Sequence, residues 1–272
     1  MPTLNLFIII IAFAGKKVNS AHRVIFMNFQ VFPLECERKD VYNKYVNPNR
    51  RNKMVSYEMI KNNSDIREYI SSADAALSVL GYTEHSFAHV TKVAECAAEI
   101  LTRLGYDAHT VELARIAGFL HDIGNLVNRI DHSQSGAVMA FRILDKLGMP
   151  SKDIAAVVSA IGNHDEGTGV PINPMSAALI LADKSDVRRT RVRNNDMSSF
   201  DIHDRVNYSV ESAELLLSAE QKTVTLILNV DTQISSVMDY FEIFLGRMIL
   251  CRKAAESLGL TFALKVNGQK LL

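Results

Sequence analysis

Six amphipathic segments, each bounded at one end by a glycine, a proline or a capping residue, occupy the middle of this 272-residue chain and constrain its fold more than any other feature. Apolar residues recur in them with the spacing of one helix face. The segments span residues 64–81, 84–104, 110–122, 131–147, 151–163 and 174–187. We therefore predict an all-helical bundle over residues 64–190, with helix caps at Thr110 and Ser151.

The pattern changes after residue 201. Residues 206–210 alternate and are followed by the segment 213–217 and a turn. Residues 224–230 are rich in β-branched side chains, and residues 261–266 alternate again. A long helix pattern, which we expect Asp231 to cap, lies before the last strand. The predicted order is β-β-α-β, a small sheet covered on one face by one helix. The fold class is therefore mainly α, a helical bundle with a small C-terminal α+β attachment.

The first 53 residues differ in composition from the rest. They hold nine Lys and Arg against three Asp and Glu, whereas the whole chain has 30 of each, so residues 54–272 carry a net charge of −6. The apolar run 6–14 is shorter than the ~20 residues that cross a bilayer as a helix, so we expect no membrane span. We predict an atypical, disordered extension over 1–53, a helical domain over 54–195 that begins the functional protein at Met54, and a regulatory or dimerising α+β domain over 196–272.

Charge and cysteine content limit the partners and the compartment. The negative body argues against a broad nucleic-acid surface. Three cysteines, Cys36, Cys96 and Cys251, lie far apart without a close pair. Such spacing is typical of ordinary thiols in a reducing compartment, so we expect a cytoplasmic protein.

Histidines and aspartates gather in the predicted bundle. His85 and His89 are four residues apart, which would place both on one face of one helix. His121 and Asp122 follow an apolar helix, and Asp183 lies inside another, where a charged side chain needs a partner. A single histidine on a helix is usually a core or surface residue, and we interpret His109 and His203 in that way. Several helices that carry histidines and carboxylates together are typical of a divalent metal site.

The order His89 … His121-Asp122 … Asp183 resembles the HD superfamily of metal-dependent phosphohydrolases, whose signature is H…HD…D on a helical bundle. The resemblance covers about residues 80–195. In its two-metal, HD-GYP-like branches two further histidines lie between the HD pair and the last aspartate, and His132 and His164 occupy those places. The segment 164–171 is similar to a shortened, degenerate form of the loop of that branch.

Three positions depart from the HD-GYP pattern. Asp165 stands where a second histidine would be, Val170 replaces the tyrosine, and Asn125 replaces the lysine. His85 takes a place where some members have a glutamate ligand. Because of these departures, the resemblance does not carry cyclic di-GMP over as the substrate.

The resemblance implies roles for individual residues. One or two divalent ions would bind, with Mn, Fe, Mg, Ni, Co and Zn equally compatible with the ligands. The implied roles are His89, His121 and Asp183 at the first ion, His132 and His164 at the second, Asp122 as the bridge, and Asp165 as a ligand or general acid. Lys184 and the arginine run 188–193 supply positive charge, so we predict phosphate binding by Lys184, Arg188 and Arg191, with Asp122, Asp165 and Lys184 as the catalytic set.

The leading hypothesis is a phosphohydrolase that cleaves a phosphomonoester or phosphodiester of a small, nucleotide-like substrate by metal-activated water. A second hypothesis is a non-enzymatic, metal-binding regulatory scaffold with the same fold, which the degenerate loop favours. A third is an RNA-binding protein that uses the arginine run. Homodimer formation through the C-terminal segment is compatible with each of them.

Overall fold

The computed structural model describes residues 54–194 and 196–272, and within them the mainly α fold with a small C-terminal sheet is confirmed. The extension expected over residues 1–53 lies outside the described residues. The helices are α1 Tyr57–Lys61, α2 Ser64–Val79, α3 Phe87–Arg103, α4 Ala108–Leu120, α5 His132–Leu147, α6 Ser151–Gly162, α7 Pro174–Ser185, α8 Ile202–Ser209 and α9 Val237–Ser257. The strands are β1 Val210–Ser218, β2 Thr223–Val230, β3 Thr261–Val266 and β4 Gln269–Lys270.

Side-chain caps explain two starts that differ from the prediction. The hydroxyl of Ser86 accepts from the backbone N–H of Ala88, so α3 begins at Phe87 and His85 precedes the helix instead of lying on its face. The expected cap Thr110 is wrong, because Asp107 accepts from the N–H groups of both His109 and Thr110.

The cap predicted at Ser151 is also wrong. Pro150 occupies the N-cap position of α6, and Ser151 is the first helical residue. By contrast, α7 begins as its sequence indicates, since Asn173 and Ser176 form a capping box around Pro174. The end predicted for α5 is confirmed, with Gly148 at φ 85° in the left-handed region that glycine favours.

The sheet has the order β1-β2-β3-β4, with β1 antiparallel to β2, β2 parallel to β3, and β3 antiparallel to β4. The parallel pair needs a crossover, which α9 provides. On β2 the side chains of Val224, Leu226 and Leu228 are buried, as expected for a strand with one face on the core. The β-β-α-β order is confirmed for β1, β2, α9 and β3, and the structure adds a short fourth strand, β4, that the sequence did not predict.

Two boundaries in this segment were predicted wrongly. Residues 206–209 belong to helix α8, because the carboxylate of Asp201 accepts from the N–H of Asp204 and starts a helix there. The long helix starts at Val237 rather than after Asp231, since Ser236 and Asp239 form its capping box. Asp231 instead accepts from the N–H of Gln233 in a turn.

The core runs through both parts of the described chain. Helix α7 is almost wholly buried and packs against α3, α4, α6 and α9. Helices α3 and α4 approach closely at Gly118, where an added Cβ would lie 2.7 Å from the Cα of Ala94. The C-terminal segment therefore packs directly on the helix that carries Asp183. Within residues 54–194 and 196–272, no helix has both the length and the apolar character that crossing a membrane requires.

Candidate metal centre

The structure brings the six predicted ligands into one buried cluster. They come from separate places in the bundle, namely His89 in α3, His121 and Asp122 after α4, His132 at the start of α5, His164 after α6, and Asp183 in α7. None of the six is more than 9% exposed. Their ligand atoms form two groups, each within 4.8 Å, which are His89 with His121 and Asp183, and His121 with Asp122 and His164.

The Asp122 carboxylate lies between two sets of histidines. Its Oδ2 is 3.1 Å from His121 Nε2 and 3.4 Å from His89 Nε2. Its Oδ1 is 3.5 Å from His132 Nε2. On the first side, Asp183 Oδ1 is 3.4 Å from His89 Nε2. Each oxygen of Asp122 thus faces a different set of histidines, which is the placement a bridging carboxylate requires.

Fixed acceptors orient the four histidine rings. The Nδ1 atom of His89 lies 2.8 Å from Asp186 Oδ2. In the other three histidines Nδ1 lies close to a backbone carbonyl oxygen, which is that of Gly118 for His121 at 2.8 Å, of Arg129 for His132 at 3.1 Å, and of Ile161 for His164 at 2.6 Å. Because a carbonyl oxygen only accepts, each Nδ1 carries the proton and donates it. Every Nε2 is therefore directed at the cluster, an arrangement typical of metal-ligating histidines.

Several buried atoms of the cluster have no hydrogen-bond partner in the described structure. They are His89 Nε2, His121 Nε2 and Asp122 Oδ2. In addition, His132 Nε2 lies 3.2 Å from His164 Nε2, although both rings already donate through Nδ1. Unpaired buried polar atoms are costly. A divalent cation would satisfy them, and imidazole with carboxylate is a suitable ligand set.

Burial and charge set the protonation of the cluster. Burial lowers the pKa of His121, but the adjacent carboxylates of Asp122 and Asp183 outweigh it and raise the pKa to about 10. Burial lowers the pKa of His132 and, more strongly, that of His164. The last two rings are therefore neutral at pH 7, ready to act as ligands, whereas a metal ion at His121 must displace a proton.

Asp186 is a functional residue that sequence reasoning missed. Its Oδ1 accepts from Lys92 Nζ at 2.7 Å while its Oδ2 holds His89. Burial opposes ionisation, but the bonds from His89 and Arg188 keep its pKa well below the usual range. The signal was its position three residues after Asp183, which places both carboxylates on one side of the end of α7.

Lys184 lies between two carboxylates. Its Nζ is 2.8 Å from Asp183 Oδ2 and 3.2 Å from Glu166 Oε2, and the residue is only 4% exposed. The other oxygen of Glu166 is 2.6 Å from Nε of Arg247 in α9. Burial raises the pKa of Glu166, but the charges of Lys184 and Arg247 outweigh it and hold the pKa far below its usual range. Lys184 therefore reaches the centre, with both carboxylates already paired to its ammonium group.

The four arginines within residues 188–193 all contact other groups of the protein. Arg188 reaches Asp186 with Nε at 2.8 Å and Nη2 at 3.2 Å. Arg191 donates to the backbone oxygens of Glu84 and Asp186. Arg189 donates to the carbonyl of Tyr208, and Arg193 pairs with Asp74. These four guanidinium groups therefore stabilise the end of α7 and the segment after it.

A cavity of about 440 Å³ opens onto the cluster. Asp122, His132 and Asp183 of the cluster line it together with Lys184, and residues of α8 and α9 form part of its wall. Of the predicted phosphate-binding residues, Lys184 and Arg191 line it, whereas Arg188 is not among its lining residues. Sequence reasoning missed two other lining cations, Arg129 and Arg247, because only the tertiary fold brings them there.

Asp165 and His85 lie at the edge of the cluster. Asp165 Oδ1 is 4.0 Å from His132 Nε2, and its side chain is 29% exposed. The ring of His85 lies 5.6 Å from that of His89, and its Nδ1 is 2.7 Å from the carbonyl of Thr83. Burial lowers the pKa of His85 well below its usual value, so the ring is neutral. His85 lines the cavity, whereas Asp165 is not among its lining residues.

The bundle gathers histidines and aspartates, in or just after five helices, into one buried cluster that could hold a metal ion. The family model of the HD domain matches residues 86–192, which contain all six clustered residues, so this part of the chain is an HD domain. Members of this superfamily are usually metal-dependent hydrolases, and HD domains bind divalent metals.

Two individual proteins are similar to the chain. An uncharacterised protein of Methanocaldococcus jannaschii, MJ1020, is 28% identical over 187 residues, which cover 60% of this chain and 71% of that protein. A crystal structure of a predicted HD superfamily hydrolase from an uncultured Thermotogales bacterium has 26% identity and a TM-score of 0.36, and the match covers 48% of this chain and 73% of the other.

Proposed function

We propose that this protein is a metal-dependent phosphohydrolase that cleaves a phosphomonoester or phosphodiester bond of a small, nucleotide-like substrate. The observation that carries the proposal is the buried cluster itself, in which three atoms of His89, His121 and Asp122 have no hydrogen-bond partner within the described residues and Asp122 lies between two sets of histidines. We also propose a cytoplasmic location, because widely spaced cysteines are typical of proteins in a reducing compartment.

The distances within the cluster support the following proposed ligand roles. His89, His121 and Asp183 would hold a first divalent ion, His132 and His164 a second, and Asp122 would contact both. Such an ion lowers the pKa of bound water and polarises a phosphoryl oxygen. Asp186 keeps the His89 ring in the orientation that directs Nε2 at the cluster. Lys184, through its contact with Asp183 Oδ2, positions that carboxylate.

Arg129 is the phosphate-binding residue that we propose on the bundle side of the cavity. Its Nη1 lies 3.3 Å from Asn125 Oδ1 and 3.5 Å from His132 Nε2, and no carboxylate of the described residues forms an ion pair with it. Metal binding would remove the His132 nitrogen as an acceptor, leaving guanidinium donors free beside the centre. Phosphoryl oxygens are well suited to accept from them.

Asp165 is the general acid that we propose for the leaving group. Its partly exposed carboxyl group lies within 4.0 Å of His132 Nε2, at the edge of the cluster, so a substrate oxygen at the centre would be within reach. The metal-binding regulatory scaffold is the alternative, and it predicts metal binding without hydrolysis.

The test uses the full chain loaded with Mn²⁺, with an Asp122→Asn variant and an Asp145→Asn control at an exposed position on α5. Metal per chain and hydrolysis of a panel of phosphomonoesters, phosphodiesters and nucleotides are measured. We expect the control to match the wild type, and Asp122→Asn to lose metal and hydrolytic activity while it keeps its helical circular dichroism. Full metal binding with no hydrolysis of any phosphoester by the wild type would instead support the regulatory scaffold.

A further inference from the structure

The C-terminal segment contributes a cation to the cavity of the metal centre. Arg247 lies in α9, more than 50 residues after the end of the matched HD domain, and lines the same cavity as Asp122 and Asp183. It arrives there because α9 packs along α7, the helix that carries Asp183. The wall of the candidate active site is thus shared between the bundle and the appended segment.

Protein contacts fix the guanidinium of Arg247 at Nε but not at its terminal nitrogens. Its Nε is 2.6 Å from Glu166 Oε1, and its guanidinium lies over the ring of the buried Phe244, 4.4 Å from the centroid. These contacts fix the plane of the guanidinium, so the side chain would lose little conformational entropy when it binds a ligand. Among the described residues, no acceptor forms a hydrogen bond with its terminal nitrogens, and the side chain is 25% exposed.

Of the neighbouring charged side chains of Lys184, Glu166 and Arg247, Arg247 is the one whose N–H groups are available to a ligand. Lys184 contacts two carboxylates, those of Asp183 and Glu166, and is almost completely buried. Glu166 uses one oxygen for Lys184 and the other for Arg247. Burial lowers the pKa of Arg247, but Glu166 and Asp183 outweigh it and raise the pKa above its ordinary value, so the guanidinium stays charged.

We propose that Arg247 binds the anionic phosphoryl group of the substrate, and that the C-terminal segment is therefore part of the substrate-binding site rather than only a regulatory or dimerising attachment. The terminal N–H groups of Arg247 donate to phosphoryl oxygens, while Nε remains with Glu166. This inference deepens the proposed function and rests on it for the identity of the anion. Free phosphate and a phosphate ester share the oxyanion that is recognised.

The test is calorimetric titration of inorganic phosphate into the full chain loaded with Mn²⁺, which needs no hydrolysis. The variant is Arg247→Gln, and the matched control is Arg252→Gln, on the same helix at an exposed position where the arginine makes only a distant pair with Glu256. We expect the dissociation constant of phosphate to rise about tenfold or more in Arg247→Gln, because a charged hydrogen-bond donor is lost. Metal content and the control should not change.

A second variant covers the case in which Arg247→Gln loses metal because one oxygen of Glu166 has lost its partner. The double variant Glu166→Gln/Arg247→Gln removes both charges, and we expect it to keep Mn²⁺ and still bind phosphate weakly. Wild-type affinity for phosphate in either metal-loaded variant, no measurable phosphate binding by the wild type, or loss of metal in both variants would overturn the proposal. Phosphate binding that depends on Arg247 without any hydrolysis would refute the phosphohydrolase and leave this inference standing.

Discussion

Replacing Gly118 with alanine should both destabilise the protein and weaken the metal centre. The new Cβ would lie 2.7 Å from Ala94 Cα and 2.9 Å from Ala94 N, both backbone atoms of α3. To reach the 3.4 Å at which ordinary contact begins, α3 and α4 must separate by about 0.7 Å. Overpacking of this kind costs about 1–3 kcal/mol, which lowers the melting temperature of a domain of this size by about 2–12 °C.

The same displacement reaches the ligands. His89 lies on α3, and His121 donates from Nδ1 to the carbonyl of Gly118 itself. Separation of the two helices therefore pulls apart two ligands of one predicted ion. We expect the affinity for Mn²⁺ to fall about tenfold, the lower end of what loss of an orienting contact costs.

Gly162→Ala is the matched control, because this glycine also lies in the last turn of a helix that leads into a histidine of the cluster. Its added Cβ would meet Ala137 Cβ at 3.6 Å, an ordinary contact, so alanine should be neutral or stabilise by up to about 1 kcal/mol. The assay is thermal unfolding of the full-length variants, with Mn²⁺ affinity measured by calorimetry. If Gly118→Ala unfolds at or above the temperature of Gly162→Ala, the close approach of α3 and α4 does not exist as described.

Three further predictions concern charge at the centre. Asp186→Asn should lower Mn²⁺ affinity about 10–100-fold, while Asp153→Asn, which removes a surface partner of a non-ligand histidine, should leave it unchanged; equal affinities would contradict the orienting role. Mn²⁺ binding at pH 7 should release protons, because His121 with a pKa of about 10 is protonated before the ion enters; the calorimetric heat should therefore depend on the ionisation enthalpy of the buffer, and independence would refute this. Because the pKa of Glu166 is lower in the folded than in the unfolded protein, its ionised carboxylate stabilises the fold at pH values above the unfolded pKa of 4.5, and this stabilisation is lost as the pH falls below that value. The wild type should therefore melt at a higher temperature than Glu166→Gln at pH 6, and the difference should shrink towards pH 3.

Local patterns in the sequence predicted a helix boundary well where a glycine stop or a capping box marks it. The end of α5 at Gly148 and the start of α7 at Pro174 are examples. The prediction failed at residues 206–209, where alternation suggested a strand although a carboxylate cap at Asp201 starts a helix. Short segments with period-two and helical character are ambiguous, and the tertiary environment decides between them.

For the site, sequence order identified six residues that the fold does bring together, but not the residues around them. The partner of His89 is Asp186, 97 residues away along the chain. Arg129 has no ligand-like spacing, and Arg247 lies in a segment with no histidine near it. By contrast, the arginine run looked suited to phosphate, yet its members are held by acceptors that only the folded chain supplies, such as the carbonyl of Tyr208 for Arg189. Periodicity carries no information about such long-range partners.

One local rule explains why three of the clustered histidines stand where they do. His121, His132 and His164 each donate from Nδ1 to the carbonyl three residues earlier. For His121 and His164 that carbonyl belongs to the last turn of a helix, where the backbone oxygens have no partner within the helix. A histidine just beyond a helix end can satisfy such an oxygen and direct Nε2 away from the helix.

His89 cannot use this rule, because it lies in the first turn of α3 rather than beyond a helix end. A ring there needs an acceptor from another element, and Asp186 at the end of α7 provides it. The cluster thus combines three rings that their own backbone orients with one ring that depends on the packing of α3 against α7. We infer that His89 is the ligand most sensitive to changes in that packing, and that metal affinity reports on the fold of the bundle mainly through this residue.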